Sequence, residues 1–358
     1  MKLFKSLLVA PASLGLLAPM AATANEVTIN DFNAAEEIAV TNSRVDGLEA
    51  RLNNFEAGSF SETTTASFSV DTVLGAIDGA SSETTSLDFQ FNIGLSTSFT
   101  GEDSLDIAID NGSGTPSVMS SDVMGFDSGT SLVVDGVTYS FPVGGASMVV
   151  GDSTDLSTAF TGACTYSAFT DLTPDDCGTG NSMGAGGKGV TAAMSYAFDS
   201  GFSLAGGVTS GNKEILGDEA DAFGLNAAYS ADSYGVAVAY VSDDGGTSTD
   251  TTYWGLNGYY TFDLASLSAG FETSDDGTTE KSGYFVGLSF PEVGPGTANI
   301  AAATTGLFAD SETETLVYEA SYSYALNDGM TITPGIFIKE VDGADDQTGV
   351  AVKTSFSF

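Results

Sequence analysis

Between Ser86 and Thr100 apolar and polar side chains alternate without a break. Leu87, Phe89, Phe91, Ile93, Leu95, Thr97 and Phe99 share one parity, and Ser86, Asp88, Gln90, Asn92, Gly94, Ser96 and Ser98 share the other. Successive side chains of a strand point to opposite faces, so the stretch predicts a strand with one apolar and one polar face. Strands of water-soluble sheets usually run about 5–6 residues, whereas a tilted strand needs roughly 9–11 to cross a bilayer. This one is long enough to cross. Its apolar face is expected against lipid and its polar face against a water-filled lumen.

The same alternation recurs down the chain. Thr63 to Gly75 sets Phe68, Val70, Thr72 and Leu74 opposite Asp71, and Ser104 to Asn111 sets Leu105, Ile107 and Ile109 opposite Asp106 and Asp110. Ser131 to Val150 reads as two strands turning at Pro142 to Gly145, with Asp135-Gly136 either a hairpin turn or a bulge. From Gly189 eleven further strands are predicted, near 189–198, 202–209, 222–230, 234–241, 252–262, 266–272, 282–290, 297–304, 315–325, 329–338 and 348–358. The fold class is therefore an all-β membrane barrel of about 16 antiparallel strands (roughly 14–18). An even number puts both ends on the periplasmic side. The short connections Asp199–Gly201, Ala231–Ser233, Asp263–Ala265, Pro291–Gly296 and Leu326–Asp328 then fall there. The alternate connections Ser242–Thr251, Thr273–Lys281, Gly306–Glu314 and Lys339–Gln347 are longer and acidic, as outer loops are expected to be.

Two further patterns fit a bilayer. Tyr196, Phe198, Phe202, Tyr229, Tyr234, Tyr260, Phe262, Phe290, Tyr322, Tyr324, Phe356 and Phe358 flank the short turns on the apolar parity, where a girdle at one membrane interface belongs. Charges avoid the lipid parity, where a basic residue near the midplane costs roughly 2–4 kcal/mol and an acidic one somewhat less. Asp71, Asp88, Asp106, Asp110, Glu272, Glu319 and Lys353 all take the polar parity, which makes them candidate pore-lining residues.

The amino-terminal part has other periods. Lys2 and Lys5 precede an apolar run ending in Ala22-Thr23-Ala24, the pattern of a secretory signal peptide over 1–24 cleaved before Asn25. Ile38, Thr41, Val45, Leu48, Leu52 and Phe55 are spaced 3, 4, 3, 4 and 3 apart, predicting a short periplasmic helix within 25–58. So short a seam is marginal alone. It reads either as one amphipathic helix or as a parallel coiled coil that sets a homotrimer, with Thr41 a polar core position. The barrel is expected over 59–358.

Composition narrows the function. With 48 acidic residues against 9 basic ones and a net charge of -39, nucleic acid is excluded as a partner. Histidine is absent, which removes the commonest general base and metal ligand; no catalytic constellation, cofactor or metal site is predicted. At 42% hydrophobic residues the chain is too apolar for a disordered acidic polymer. Gly184 to Gly189 matches G-x-G-x-x-G, but it precedes a strand and has Gly189 after Lys188 where a phosphate loop needs Ser or Thr. It suits a flexible loop return.

The longest connection, Gly151 to Lys188, holds the chain's two cysteines, Cys164 and Cys177, with twelve residues between them. In an oxidising compartment they default to a disulfide, worth about 3 kcal/mol on the chain-entropy estimate. Asp171, Asp175 and Asp176 lie inside that staple, either as a solvated loop tip or as the acidic wall of a constriction. The barrel has no arginine and only Lys188, Lys213, Lys281, Lys339 and Lys353 to oppose them. An acidic lumen attracts cations; alternatively the acidity keeps the outer loops soluble or binds divalent ions in the surface layer.

The last strand, Gly349 to Phe358, alternates toward terminal aromatics at Phe356 and Phe358 and resembles the assembly signal read by the outer-membrane barrel assembly machinery. The leader, the helix Val45-Asp46-Gly47-Leu48-Glu49-Ala50-Arg51-Leu52 and the Phe60 to Thr64 lead-in are similar to those of cyanobacterial outer-membrane porins. That resemblance implies a homotrimer in the outer membrane of a Gram-negative-type bacterium, passing inorganic ions and small hydrophilic solutes. In trimeric porins the connection matching Gly151 to Lys188 folds into the barrel and narrows the pore. The surface-layer homology domain that usually precedes the helix finds no room in the dozen or so residues between Asn25 and the heptads. The expected function is a passive, cation-preferring diffusion channel. The rival is a structural barrel or adhesin with a plugged pore, and conductance separates the two.

Overall fold

The computed structural model describes residues 44–45 and 64–358, apart from 82, 115–116, 128, 185–186, 216, 218–220 and 246–248. The leader, the lead-in up to residue 63 and the seam positions Ile38, Leu48, Leu52 and Phe55 lie outside the described residues. Arg44 and Val45 are helical and exposed. Packing divides the chain into two units, Met1–Ser61 and Glu62–Phe358.

Sixteen long antiparallel strands and one two-residue strand are described in the second unit. They are β1 (Thr64–Asp78), β2 (Ser86–Thr97), β3 (Ser104–Gly112), β4 (Val133–Val143), β5 (Ala146–Thr154), β6 (Gly189–Ala197), β7 (Phe202–Ser210), β8 (Asp221–Ser230) and β9 (Tyr234–Asp243). They continue as β10 (Thr251–Thr261), β11 (Ser266–Asp275), β12 (Glu280–Val293), β13 (Gly296–Thr304), the short β14 (Phe308–Ala309), β15 (Leu316–Asn327), β16 (Met330–Lys339) and β17 (Gln347–Ser357). Each long strand pairs with the next, β14 caps β12, and β17 pairs with β1 to close the sheet. A closed barrel leaves no unpaired edge, which a membrane demands. Closure is sealed beyond the strand ends. Phe68 and Phe358 exchange backbone hydrogen bonds of 2.8 and 3.0 Å, and their rings stack with centroids 5.7 Å apart.

The apolar parity faces outward. Leu74, Leu225, Trp254, Leu256, Ile336 and Val350 are all exposed, and the girdle forms through ring pairs such as Tyr196–Phe198, Phe202–Tyr229 and Tyr260–Phe262. The Asp135-Gly136 alternative resolves as a bulge. Ala108 pairs with Gly136 and Ile109 with Val134, which leaves Asp135 as the extra residue. At the girdle end, turn 98–103 is wound around one carboxylate: Asp103 Oδ1 accepts from Ser98 Oγ, Phe99 N, Thr100 N and Thr100 Oγ1, and Oδ2 accepts from Tyr139. Burial works against the charge there, but those donors outweigh it and hold the carboxyl well below its ordinary range.

The inward face departs from the simple alternating picture. Val73, Ile77, Phe285, Val317 and Phe337 point inward yet are buried, because two long connections fold into the lumen and cover them. One is residues 113–132, contributing Met119, Val123 and Phe126; the other is 155–188, contributing Phe169, Leu172 and Cys177. Burying each such large side chain contributes about 1.5–3 kcal/mol. This apolar cluster fills the lumen on the β12–β17 and β1 side.

Candidate permeation passage

Within the inward segment, residues 160–168 run between a 3-10 turn (Leu156–Thr158) and two short helical turns (Asp175–Gly178 and Gly180–Met183), and their amides are read by the wall strands β8, β10 and β11. Thr161 N donates to Asn226 Oδ1 of β8 at 2.8 Å, Ala163 N to Asn257 Oδ1 of β10 at 2.8 Å, and Thr165 N to Ser268 Oγ of β11 at 3.1 Å. Every second residue finds an acceptor, because an extended chain turns alternate amides to one side. Further on, Glu319 of β15 accepts from Tyr166 Oη (2.9 Å), Phe169 N (2.9 Å), Thr170 N (3.0 Å) and Thr170 Oγ1 (2.7 Å). On the return, Glu272 of β11 accepts from Asn181 Nδ2 (2.7 Å) and Ser182 N (2.6 Å). The disulfide Cys164–Cys177 is formed, with Cα atoms 5.7 Å apart, and ties the two arms together. Gly270 permits this approach: a Cβ there would run into the Cys177 carbonyl oxygen.

These contacts correct three expectations about the lumen wall. Glu319 and Glu272 are 4% and 1% exposed, so they anchor the segment and do not face water. Asp88, also buried, accepts a 2.5 Å bond from Ser117 Oγ of the other inward segment. Their inward parity is as expected, but a carboxylate beneath a folded segment serves the amides above it. Asp71 is held by Ser355 Oγ (2.5 Å) and Gln90 Nε2 (3.4 Å), and Lys353 lies half-buried, opposite Val73 in the closing pair.

What stays open runs along β1–β5. Two adjoining cavities of about 480 and 520 Å³ share Ser67, Gly94, Ala108 and Asp135 in their walls. Short hydroxyl side chains dominate the lining, and its carboxylates are Asp106, Asp110, Asp135 and Asp155. Among the described residues one basic side chain lines them, Lys188, whose Nζ lies 2.7 Å from both Asp135 oxygens. Facing water on the inward segment are Asp171, Asp175 and Asp176. Burial and the charge of Asp175 push the Asp171 carboxyl above its ordinary range; burial, Asp175 and Asp155 do the same to Asp176. The segment 155–188 thus contributes Asp155 and Lys188 to the cavity wall beside β1–β5, while Asp171, Asp175 and Asp176 are exposed elsewhere on it.

The sequence pattern of the Gram-negative porin family matches residues 51–344. The chain belongs to that family. Solved porins share its fold at low identity. OprB of Pseudomonas putida superposes with a TM-score of 0.67 at 13% identity, over 83% of this chain and 94% of that one. The anion-selective porin from Comamonas acidovorans gives 0.60 at 14%, over 82% and 99%. A mutant form of Rh. blastica porin gives 0.56 at 15%, over 82% and 100%. No curated protein sequence matches the chain.

Three parts of this porin's passage were not legible as site residues in the sequence. Asn226, Asn257 and Ser268 look like ordinary lumen positions, although each sits two residues from a glycine on the same face, the room a docked chain needs. Asp135 is the extra residue of the bulge in β4 and Asp155 lies just past the end of β5, so neither sits on a strand parity that would mark it. Residues 113–132 carry no length or composition that distinguishes an inward segment from an outer loop.

Proposed function

We propose that this outer-membrane porin is a passive diffusion channel that prefers cations, for inorganic ions and small hydrophilic solutes. The observation that carries the reading is the passage itself: Asp106, Asp110, Asp135 and Asp155 line it and Lys188 alone opposes them among the described residues. Carboxylates along a narrow, low-dielectric path raise the local cation concentration and exclude anions. A fold neighbour is described as anion-selective, so the reading is drawn from the charge of the lining, which is negative here, and not from the barrel. Export through the 1–24 leader, assembly through the terminal Phe356 and Phe358, and a homotrimer reinforced by the Ile38 to Phe55 helix belong to the same proposal.

The plugged structural barrel keeps one observation in its favour, the apolar cluster that the inward segments build against β1 and β12–β17. Planar-bilayer recording of the purified protein under a potassium chloride gradient separates the readings. Open channels with a cation-selective reversal potential support the proposal. Open channels without preference move the working acidity to the outer loops, and absence of conductance from folded protein leaves the structural role.

A further inference from the structure

The turn Asp175–Gly178 places three successive residues in the left-handed region: Asp176 (φ 50°), Cys177 (φ 56°) and Gly178 (φ 86°). Glycine takes that conformation freely, whereas aspartate and cysteine hold it in sequence only where the surroundings impose it. Two ties impose it here. The disulfide fixes Cys177 to Cys164 on the outgoing arm. Buried Asn257 donates from Nδ2 to the Asp176 carbonyl (2.9 Å) and to Thr179 Oγ1 (2.8 Å), while its Oδ1 takes the Ala163 amide. The Asp176 side chain remains exposed beside Gly162, within electrostatic reach of Asp155, which lines the passage.

We propose that the Cys164–Cys177 disulfide positions Asp176 as a selectivity-determining residue, so that the thiol–disulfide state of the inward segment sets the strength of the cation preference. The inference rests on the cation-channel reading above. The oxidised turn holds Asp175 and Asp176 near Asp155, and once the disulfide is gone only the Asn257 bonds to the Asp176 carbonyl and Thr179 Oγ1 resist the repulsion of these like charges. Reduction by an external dithiol breaks the S–S bond, delivers two electrons and two protons to leave two thiols on the segment, and converts the dithiol to its cyclic disulfide. Asn226, Ser268, Glu272 and Glu319 go on holding the rest of the segment against the wall. The passage therefore persists while its charge spreads, and selectivity changes more than conductance.

The test is the reversal potential of the full-length protein in a planar bilayer under a potassium chloride gradient, before reduction, after dithiothreitol and after reoxidation. The Cys164→Ala/Cys177→Ala and Asp176→Asn variants are recorded alongside. Reduction and the double alanine variant are expected to lower the cation-to-anion permeability ratio by about twofold, with little change in conductance. Reoxidation restores the ratio, and Asp176→Asn starts low and no longer responds to reduction. The inference is overturned if the oxidised protein is cation-selective yet the ratio is the same reduced, oxidised and in the double variant, or if Asp176→Asn stays redox-sensitive. An oxidised wild type without cation preference overturns the channel reading itself, which keeps the two failures apart. Where the double variant does not give folded barrels, reduction of the wild type, with thiol alkylation to show that it occurred, decides alone.

Discussion

Glu319 Oε2 on β15 accepts both the amide of Thr170, at 3.0 Å, and its hydroxyl, at 2.7 Å. With Oε1 taking Tyr166 Oη and Phe169 N, one buried carboxylate satisfies four donors at the turn of the inward segment. Each buried donor left without a partner costs about 1–3 kcal/mol. Glu319→Ala is therefore expected to release the 166–170 stretch, lower the unfolding temperature and raise single-channel conductance with added noise. Glu319→Gln, which keeps one carbonyl oxygen, should fall between. A conductance equal to wild type in Glu319→Ala would show that the segment is held without it.

Two wall glycines are predicted to be as important as the polar anchors. A methyl at Gly335 would lie 2.5 Å from the Phe169 ring, and one at Gly270 would meet the Cys177 carbonyl oxygen. Overpacking of this kind costs about 1–3 kcal/mol. Gly270→Ala and Gly335→Ala should displace the segment toward the open passage, so that conductance falls while the barrel still assembles. Thermal unfolding and conductance measured on the same preparation check both halves.

Why the barrel was readable and the passage only partly so has a physical reason. Outward positions such as Leu74, Leu256 and Ile336 meet one solvent, lipid, along the whole strand, so a single parity rule describes them all. The strand number followed from that rule, together with the short turns and the girdle. Inward positions meet whatever the two folded segments bring. Glu272 and Glu319 share the parity of Asp106 and Asp110, yet the first pair lies under a chain and the second lines a cavity. No local pattern separates them, because the difference is made by residues 90 or more positions away in sequence. Val73 and Phe337 are the same case in reverse, apolar residues on the polar parity that stabilise the fold only once covered.

The carboxy-terminal ring closes the barrel against the first strand. Phe358 has two backbone bonds to Phe68 and a stacked ring, a pairing worth about 0.5–1.5 kcal/mol beyond its buried area. Phe358→Ala keeps the backbone bonds and should lower the unfolding temperature only slightly. Deleting Phe358 removes the backbone bonds as well and should cut the yield of folded barrel in the membrane. Folded yield, scored by heat-sensitive migration in detergent gels, is the readout; equal yields for both variants would contradict a closing role.

Acid should weaken selectivity before it weakens the fold. Asp171 and Asp176 have carboxyls raised by burial and by Asp175, with Asp155 adding to Asp176, so both take up protons above the ordinary aspartate value of about 3.9. Their negative charge on the exposed face of the inward segment is lost as pH falls through that window, and the cation preference should decline with it. For stability the sign is opposite. A raised folded-state value means that the folded segment binds these protons more tightly than the unfolded chain. The stability they contribute is thus fully present below the unfolded value and lost as pH rises through the folded ones. Reversal potentials from about pH 7 to 4 should therefore drift toward zero while protease resistance of the segment holds or improves. A ratio constant across that range would remove both residues from the filter.

Lys188 offers the cleanest change of sign. It and Asp135 are both about half exposed, and such a pair contributes about 0–1 kcal/mol, so Lys188→Gln should leave the barrel's stability unchanged. The substitution nevertheless removes the one positive charge lining the two cavities among the described residues, and it frees Asp135 to face permeating ions. The cation-to-anion permeability ratio should rise in Lys188→Gln and rise further in Lys188→Glu. The gain should be large near 0.1 M salt, where the screening length is about 10 Å, and should shrink near 1 M, where it is about 3 Å. Salt dependence distinguishes a charge acting through the passage from a change in its width, which would alter conductance similarly at both concentrations. If neither variant moves the ratio at low salt, the selecting charges lie away from the β1–β5 wall.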